Sequence, residues 1–304
     1  MAQLTIEDIL RIFALSILAV TAVTSNLTVC VALYRNVKLR TTFSLMIFSL
    51  AVADLLTGLI VIPSYCVFIA EETLHRDKAG AYFYAVYICF DIFCGIASIY
   101  NMTLMSLERA ITIVAPSFHA RTLANKKSMK KLLPIPWIVA VILLFPKIAM
   151  YTKVMDAKMI AIFYFILAFA IPLSVIIVCY GYIFHVRVKL AANCGNRFLK
   201  DLRLAYTVLA IIVIFFLCWA PFFSMVLYFG LCTKCAPVNS LLIFFKWLQF
   251  FHSCCNPFIY ALLQPAFRHA FKETMQRCLA WKKEISARGD LERQPMSDCT
   301  IIDE

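Results

Sequence analysis

Charged residues are scarce in this sequence, and so is glycine. Asp, Glu, Lys and Arg make up 15% of the 304 residues while 63% are hydrophobic, which argues against a soluble globular protein. Seven glycines are too few for a collagen-like or low-complexity chain. The basic residues are scattered over connecting segments, so nucleic-acid binding is not expected. No nucleophile, general base or metal-ligand constellation is recognisable, so we predict that the protein is not an enzyme.

Seven long apolar runs fill most of the chain. Each is long enough to cross the hydrocarbon layer of a bilayer as a helix. They cover approximately residues 9–34, 42–66, 79–112, 133–152, 158–185, 203–231 and 239–262. The sequence therefore predicts an all-α membrane protein, a seven-transmembrane helix bundle surrounded by lipid.

The distribution of basic residues predicts the orientation. Most of the 29 Lys and Arg residues lie in the C-terminal tail, in the connections after the first, third and fifth runs, or at the adjoining ends of the runs. By the positive-inside rule these segments are cytoplasmic and the N-terminus is extracellular. We expect a multi-pass protein of the plasma membrane.

The segment after the seventh run has a different character. Phe267–Lys272 is amphipathic and predicts a short eighth helix on the inner leaflet, with Cys278 as a palmitoylation site. Residues 1–278 then form the membrane domain. The polar residues 279–304 are predicted to be a disordered cytoplasmic tail.

Cysteine usage points to one disulfide. Most of the 13 cysteines lie in apolar runs, where a free thiol behaves as a small hydrophobic group. Cys232 and Cys235 lie between the sixth and seventh runs, and their spacing predicts a short extracellular disulfide. A metal site is not expected there, because no second cysteine pair accompanies them.

The third run carries charge near both ends. Arg109 follows Asp91 by 18 residues, which corresponds to about 27 Å of helix and returns to the same helix face. Ionisable groups in a span usually face the bundle interior or a watery cavity. We therefore assign Asp91 to the ligand side and Arg109, preceded by Glu108, to the effector side.

A second acid, Asp54, lies near the middle of the second run. No basic residue shares that run, so Asp54 is protonated, paired or holding a cation. Asn26 of the first run is its expected hydrogen-bond partner. Ser98, Ser253 and Asn256 would add the oxygen ligands that a small hard cation such as sodium prefers. A sodium site and a neutral hydrogen-bond network remain alternatives.

The later runs contain helix breakers and one unusual cation. Pro172 and Pro221 predict kinks in the fifth and sixth runs, so bending at Pro221 would swing the end near Asp201 through a wide arc. Lys246 lies well inside the seventh run. It can extend to the outer interface, pair with Asp91, or bind an acidic group of a ligand.

Taken together, these runs resemble the rhodopsin-like (class A) G-protein-coupled receptors over about residues 9–278. The resemblance depends on one motif per run, in order. The motifs are Asn26, Leu50-Ala51-Val52-Ala53-Asp54, Glu108-Arg109-Ala110, Trp137, Pro172 with Tyr180, Cys218-Trp219-Ala220-Pro221 and Asn256-Pro257-Phe258-Ile259-Tyr260. The resemblance implies a receptor that binds an extracellular ligand in the outer half of the bundle. It would activate heterotrimeric G proteins by outward movement of helix six, with arrestin as a further partner.

The resemblance also implies functional groups of residues. The switch that couples to the G protein would comprise Glu108, Arg109, Tyr180, Asp201 and Tyr260. The transmission core would comprise Ile99, Pro172 and Phe215. An allosteric sodium ion, the one cofactor the family suggests, would be held by Asp54, Ser98, Ser253 and Asn256.

Within that family the chain is most similar to the biogenic-amine receptors. Their aspartate at the Asp91 position pairs with the ammonium of the ligand, inside aromatic surroundings. The implied ligand-binding positions are Asp91, Cys94, Tyr164, Ala168, Trp219, Phe222, Phe223, Lys246 and Phe250.

Three departures keep other ligand classes open. Tyr164, Phe165 and Ala168 stand where catecholamine receptors keep serines, Tyr84 replaces the usual cysteine of helix three, and Lys246 can neutralise Asp91. A short second outer loop without a cysteine is similar to melanocortin and some lipid receptors, so a peptide or lipid ligand is the alternative. A transporter or channel is the alternative of a different class, although no internal repeat supports it.

Overall fold

The computed structural model describes residues 4–36, 41–73, 77–123, 126–151, 156–190, 196–232 and 239–292. Its α-helices are Ile6–Arg35, Thr42–Leu56, Ile62–Thr73, Asp77–Val114, Pro116–Thr122, Lys126–Leu132, Pro134–Tyr151, Ala157–Tyr164, Ile171–Leu190, Asn196–Leu231, Asn239–Leu263 and Pro265–Glu292. Two π-helical segments, Thr57–Val61 and Phe165–Ala170, join consecutive helices. These described residues contain no strand.

Seven spans follow from these elements, and we number them in chain order. The first is Ile6–Arg35, the second 42–73, the third Asp77–Val114, the fourth Pro134–Tyr151, the fifth 157–190, the sixth Asn196–Leu231 and the seventh Asn239–Leu263. Within the described residues, five spans contain an apolar stretch long enough to cross a membrane, all except the fourth and seventh. The predicted seven-span, all-helical fold is confirmed.

The third span is the centre of the bundle. It packs against the second, fourth, fifth and sixth spans, while the seventh packs between the first and the sixth. Fully buried apolar side chains such as Ile99, Met102 and Phe215 fill the interior. The outer faces instead expose large apolar side chains, including Ile177 and Leu217, as expected of helices that face lipid.

Both π segments precede a proline. Thr57–Val61 ends two residues before Pro63, and Phe165–Ala170 ends two residues before Pro172. In the fifth span Ile171 N–H donates to Ile166 O, five residues back. In the same register the carbonyl of Leu167 would accept from residue 172, but Pro172 has no N–H to donate. Tyr100 Oη of the third span donates to Leu167 O at 2.8 Å instead. The predicted break at Pro172 thus takes the form of a π segment tied to the third span.

Polar side chains join the spans at mid-membrane. Asn26 Nδ2 donates to the backbone carbonyl of Ser253 at 2.9 Å, and Asn256 Nδ2 donates to Asp54 Oδ2 at 2.8 Å. The prediction that Asn26 pairs with Asp54 is therefore wrong. Each of the two side chains is bonded to the seventh span instead.

The C-terminal helix, Pro265–Glu292, is longer than the short eighth helix predicted from the sequence. Its Phe267, Ala270 and Thr274 are buried while Arg268 and Lys272 are exposed, so the helix is amphipathic. Its contact with the inner leaflet stays a prediction.

The predicted disordered tail differs from the structure, in which this helix continues to Glu292. Residues 279–292 are rich in Ala, Leu, Lys and Glu, which favour helix, and an i,i+4 ion pair joins Glu273 to Arg277 at 2.6 Å. Residues 293–304 lie outside the described residues. Cys278 falls within the helix but its side chain is not among those described, so palmitoylation stays a prediction.

Candidate functional site

A cavity of about 360 Å³ opens among the second to seventh spans. Its walls are mostly aromatic and aliphatic. Seven of the predicted ligand-binding residues line it, namely Asp91, Tyr164, Ala168, Trp219, Phe222, Phe223 and Lys246. The volume lies at the lower end of the range for small-molecule sites.

A buried ion pair stands in the wall of this cavity. Lys246 Nζ donates to Asp91 Oδ2 at 2.5 Å, and Gln249 Nε2 donates to Asp91 Oδ1 at 3.0 Å. Lys246 Nζ also donates to Gln249 Oε1 at 2.9 Å. All three residues are less than a tenth exposed. Of the three interpretations of Lys246, the structure shows the pairing with Asp91, and both carboxylate oxygens are occupied.

Aromatic rings surround the ammonium of Lys246. Nζ lies 4.7 Å from the ring centroid of Phe222, 5.2 Å from that of Phe250 and 5.3 Å from that of Tyr87. These distances are within cation–π range. Rings on the third, sixth and seventh spans thus enclose a positive charge that belongs to the protein itself.

Helical spacing explains how the pair is assembled. Tyr87 precedes Asp91 by four residues and Gln249 follows Lys246 by three, so each stands on the same helix face as the charge it supports. Neither Tyr87 nor Gln249 was among the predicted site residues. Once Asp91 and Lys246 are identified, their i,i+3 and i,i+4 spacings to Gln249 and Tyr87 are the sequence signal that could have predicted these two residues.

The floor of the cavity is an aromatic stack on the sixth span. The ring of Trp219 stacks on Phe215 at 5.2 Å and on Phe223 at 5.7 Å between centroids, and His252 meets Phe215 edge-on at 4.9 Å. Gly95 of the third span lies against this stack. A Cβ added there would come within 2.4 Å of Trp219 Cη2, so only glycine fits.

Two predicted ligand-binding residues lie elsewhere. Neither Cys94 nor Phe250 is among the described residues that line the cavity. Both belong to a buried apolar cluster with Leu15, Val61 and Tyr65. The third and seventh spans are rotated so that Asp91 and Lys246 face the cavity while these two side chains face the first and second spans.

The four residues predicted to bind sodium come from three spans and are all buried. Ser98 and Ser253 line a small cavity of about 10 Å³. Besides the Asn256–Asp54 hydrogen bond, Asp54 Oδ1 and Asn256 Oδ1 have no hydrogen-bond partner among the described residues, and neither has Asn101 Oδ1. Buried oxygens without donors are a suitable donor set for a hard cation.

The C-terminal end of the third span, away from the cavity, holds a closed charge cluster. Arg109 Nε donates to Glu108 Oε2 at 2.5 Å, and Glu108 Oε1 lies 3.1 Å from His119 Nε2. The guanidinium of Arg109 also stacks on Phe43 at 4.7 Å. Asp201, which the resemblance places in the same switch, forms no ion pair with Arg109 in the described part of the chain.

Besides an exposed contact between Arg187 and Tyr206, two polar contacts tie the sixth span to its neighbours at this end. Tyr180 Oη of the fifth span donates to Ala205 O at 2.8 Å. Gln264 Nε2, just after the seventh span, donates to Thr207 Oγ1 at 2.6 Å, and both side chains are buried. Tyr260 is buried as well, but its hydroxyl has no partner among the described residues. The contact between Gln264 and Thr207 had no signal in the sequence.

The remaining predicted residues are placed as follows. Ile99 and Phe215 belong to one buried cluster, and Pro172 is buried on the fifth span. Cys232 is disulfide-bonded, whereas Cys235, its predicted partner, lies outside the described residues.

Comparison with known proteins is consistent with this geometry. Residues 25–260 match the family model described as 7 transmembrane receptor (rhodopsin family). The chain is 25% identical to the histamine H2 receptor of Homo sapiens, over 85% of this chain and 77% of that receptor. It is 28% identical to trace amine-associated receptor 2 of Mus musculus, over 81% and 79%. It is 25% identical to dopamine receptor 1 of Drosophila melanogaster, over 88% and 62%.

Proposed function

Because the chain belongs to the rhodopsin family of seven-transmembrane receptors, we propose that a small amine-bearing ligand enters the cavity beside Asp91 and switches the bundle to a state that activates a heterotrimeric G protein. The amine assignment is supported by the relatives, whose names refer to histamine, trace amines and dopamine. The observation that carries it is a buried carboxylate in the wall of an aromatic cavity. Such a site suits an ammonium, because the carboxylate and the ring faces both attract positive charge.

Ligand binding would act through the sixth span. Trp219, Phe222 and Phe223 line the cavity, and Pro221 among them removes one helical hydrogen bond, so bending there is comparatively easy. Asp201 lies 20 residues away, or about 30 Å along a helix, so a change of about 20° would move it by roughly 10 Å.

Such a movement would break two specific hydrogen bonds at the cytoplasmic end. Tyr180–Ala205 and Thr207–Gln264 both connect the sixth span to another element. A ligand that prefers the bent packing shifts the population toward it, by as much as its affinities for the two packings differ. The opened space would expose Arg109 to the G protein, and arrestin would use the same space.

A sodium ion would fit at Asp54. The unpartnered oxygens of Asp54, Asn101 and Asn256 support this proposal, since a cation would satisfy them and balance the carboxylate charge. With the ion bound, Asp54 would hold positive charge between the second and seventh spans. The ion would thereby favour the closed packing.

The receptor is a multi-pass membrane protein, and we place it in the plasma membrane. The extracellular N-terminus and cytoplasmic C-terminus are supported by the excess of basic residues on one side. In this orientation the cavity faces the exterior and Arg109 faces the cytoplasm.

The test is a second-messenger assay in cells expressing the full chain, with a panel of small amines. We expect an amine agonist whose potency falls in Asp91→Asn, because a charge-assisted hydrogen bond is lost. Asp156→Asn is the matched control, since Asp156 caps the fifth span and does not line this cavity. An agonist that is equally potent on Asp91→Asn would overturn the assignment of Asp91.

A further inference from the structure

The ion pair beside the cavity restricts which amines can bind. Both oxygens of Asp91 already accept hydrogen bonds, from Lys246 at 2.5 Å and from Gln249 at 3.0 Å. The protein thus supplies its own ammonium at the position where a ligand ammonium is expected. The Asp91 carboxylate has lone pairs for a further donor, but its single negative charge is already balanced by Lys246, so an incoming amine must compete with Lys246 for it.

A ligand with only a positive charge would leave an unfavourable state. Lys246 is 4% exposed and would keep only the neutral Gln249 Oε1 as an acceptor. Removing the carboxylate from a buried ammonium leaves an uncompensated charge, which is strongly destabilising. The surrounding rings of Tyr87, Phe222 and Phe250 cannot replace a carboxylate, because a ring quadrupole is a much weaker partner.

A ligand with charges of both signs removes this difficulty. We propose that the ligand is a zwitterion, with an ammonium that pairs with Asp91 and a carboxylate that pairs with Lys246. One buried ion pair is exchanged for two, and no buried charge is left without a partner. Gln249 has one amide N–H₂ and one carbonyl oxygen, so it can serve either new pair. This inference rests on the proposed function and specifies its ligand.

The cavity also indicates the rest of the ligand. Its volume of about 360 Å³ suits a single small molecule and not a folded peptide. Beyond the charged pair and Lys147 the lining is mostly aromatic and aliphatic, with Ile96 and Ile160 beside the aromatic stack of Trp219 and Phe223. The ligand class is therefore an amino acid or close analogue with an aromatic or apolar side chain.

Lys147 is the other lysine in the wall, contributed by the fourth span. It has no ion pair with Asp91, whose oxygens are filled from the seventh span. This makes Lys147 a matched control for the loss of one positive charge from the cavity. It also offers a competing site for a ligand carboxylate, which the experiment must separate from Lys246.

The experiment measures binding to the purified full-length receptor in lipid nanodiscs by the shift of its thermal unfolding midpoint. The probes are two matched trios, namely phenylalanine, phenethylamine and 3-phenylpropionate, and tryptophan, tryptamine and indole-3-propionate. In at least one trio we expect the amino acid to bind about ten- to a hundredfold tighter than either singly charged analogue, since each analogue lacks one charged pair. In Lys246→Met the amine should bind as tightly as the amino acid, and in Lys147→Met the preference should persist.

Single changes at the pair leave one buried charge and can impair folding. The double variant Asp91→Asn/Lys246→Met removes both charges together and avoids this problem. In it, all members of a trio should bind within about threefold of one another. The proposal is overturned if the unaltered receptor binds the amine as tightly as the amino acid, or if it binds no amino acid of either trio. It is also overturned if the preference depends on Lys147 and not on Lys246.

Nucleotide exchange on a G protein, measured with the same probes, separates this inference from the proposed function. An amino acid that raises the unfolding midpoint without promoting exchange would refute the signalling role and leave the zwitterion site standing. Exchange driven equally by the amine and the amino acid would refute the zwitterion site and leave the receptor role standing.

Discussion

Replacing Gly95 by alanine tests whether the contact between the third span and Trp219 controls the receptor. The added Cβ would lie 2.4 Å from Trp219 Cη2 and 3.1 Å from Cζ3. Carbon atoms pack at about 3.5–4.0 Å, so the indole must retreat by about 1 Å or more. Overpacking of this kind costs about 1–3 kcal/mol. Because the clash arises in the packing that keeps Arg109 on Glu108, we expect Gly95→Ala to favour the alternative packing and to raise basal nucleotide exchange.

A matched substitution separates this clash from the general effect of replacing glycine in a helix. A Cβ at Gly181 meets no atom within 4 Å, so Gly181→Ala should stabilise the protein by about 0.4–1 kcal/mol through the unfolded state alone. Gly95→Ala should then be less stable than Gly181→Ala by about 1–3 kcal/mol in thermal unfolding of the purified receptor. If about 1.4 kcal/mol of that difference is relieved in the alternative packing, basal exchange rises about tenfold.

A double-mutant cycle locates the effect. Trp219→Phe removes the ring atoms that meet the new Cβ, so Gly95→Ala should cost little stability in that background. Equal stability of Gly95→Ala and Gly181→Ala in the unaltered background would refute the reasoning. So would an undiminished cost of Gly95→Ala beside Trp219→Phe.

Three further predictions concern polar contacts. Thr207→Val removes the acceptor of Gln264, which releases the sixth span, so basal nucleotide exchange in membranes should increase severalfold. Tyr100→Phe leaves the part-buried carbonyl of Leu167 without its side-chain donor, so the free energy of unfolding should fall by about 1 kcal/mol. Replacing potassium chloride with sodium chloride in the buffer should raise the thermal unfolding midpoint of the unaltered receptor. This rise should vanish in Asp54→Asn, because the carboxylate that holds the cation is gone.

Each of these predictions has a control on the same side-chain chemistry. Thr28→Val, the control for Thr207→Val, removes an exposed hydroxyl that bonds only within its own helix. Tyr182→Phe, the control for Tyr100→Phe, removes an exposed hydroxyl. Neither control should reproduce the effect of the variant that it matches. Asp156→Asn should keep the response to sodium. Unchanged basal exchange in Thr207→Val, unchanged stability in Tyr100→Phe, or a sodium response that persists in Asp54→Asn would contradict the corresponding argument.

The spans and their order could be predicted because they depend on the period and length of apolar runs, which are local properties. The charges at Asp91 and Arg109 could be placed for the same reason. Which side chains pair between spans could not be predicted from these local properties. Lys246 and Asp91 are 155 positions apart, and their contact depends on how two helices are rotated, so three interpretations of Lys246 stayed open. The same dependence on rotation explains why Asn26 meets Ser253 and not Asp54.

Other features were missed because they depend on the backbone of neighbouring elements. Pro172 signals a break in the fifth span, but whether the break becomes a kink or a π segment depends on a donor being available for the freed carbonyl. Tyr100 provides it from the third span. Likewise, Gln264 follows the seventh span and has no periodic signal, and its contact with Thr207 exists only because the seventh span brings it under the sixth.

The distribution of these contacts identifies the element that moves. The seventh span is fixed to the first by Asn26–Ser253, to the second by Asn256–Asp54 and to the third by Lys246–Asp91. The sixth span has apolar packing along its length, and its cross-span hydrogen bonds of the described set, Tyr180–Ala205, Arg187–Tyr206 and Thr207–Gln264, lie at the end near Arg109. Apolar contacts are non-directional and tolerate rotation about Pro221 better than buried hydrogen bonds do. A ligand that separates Asp91 from Lys246 therefore loosens the seventh span only at its outer end. The sixth span, which around Pro221 has only apolar contacts with its neighbours among the described residues, is the one that swings.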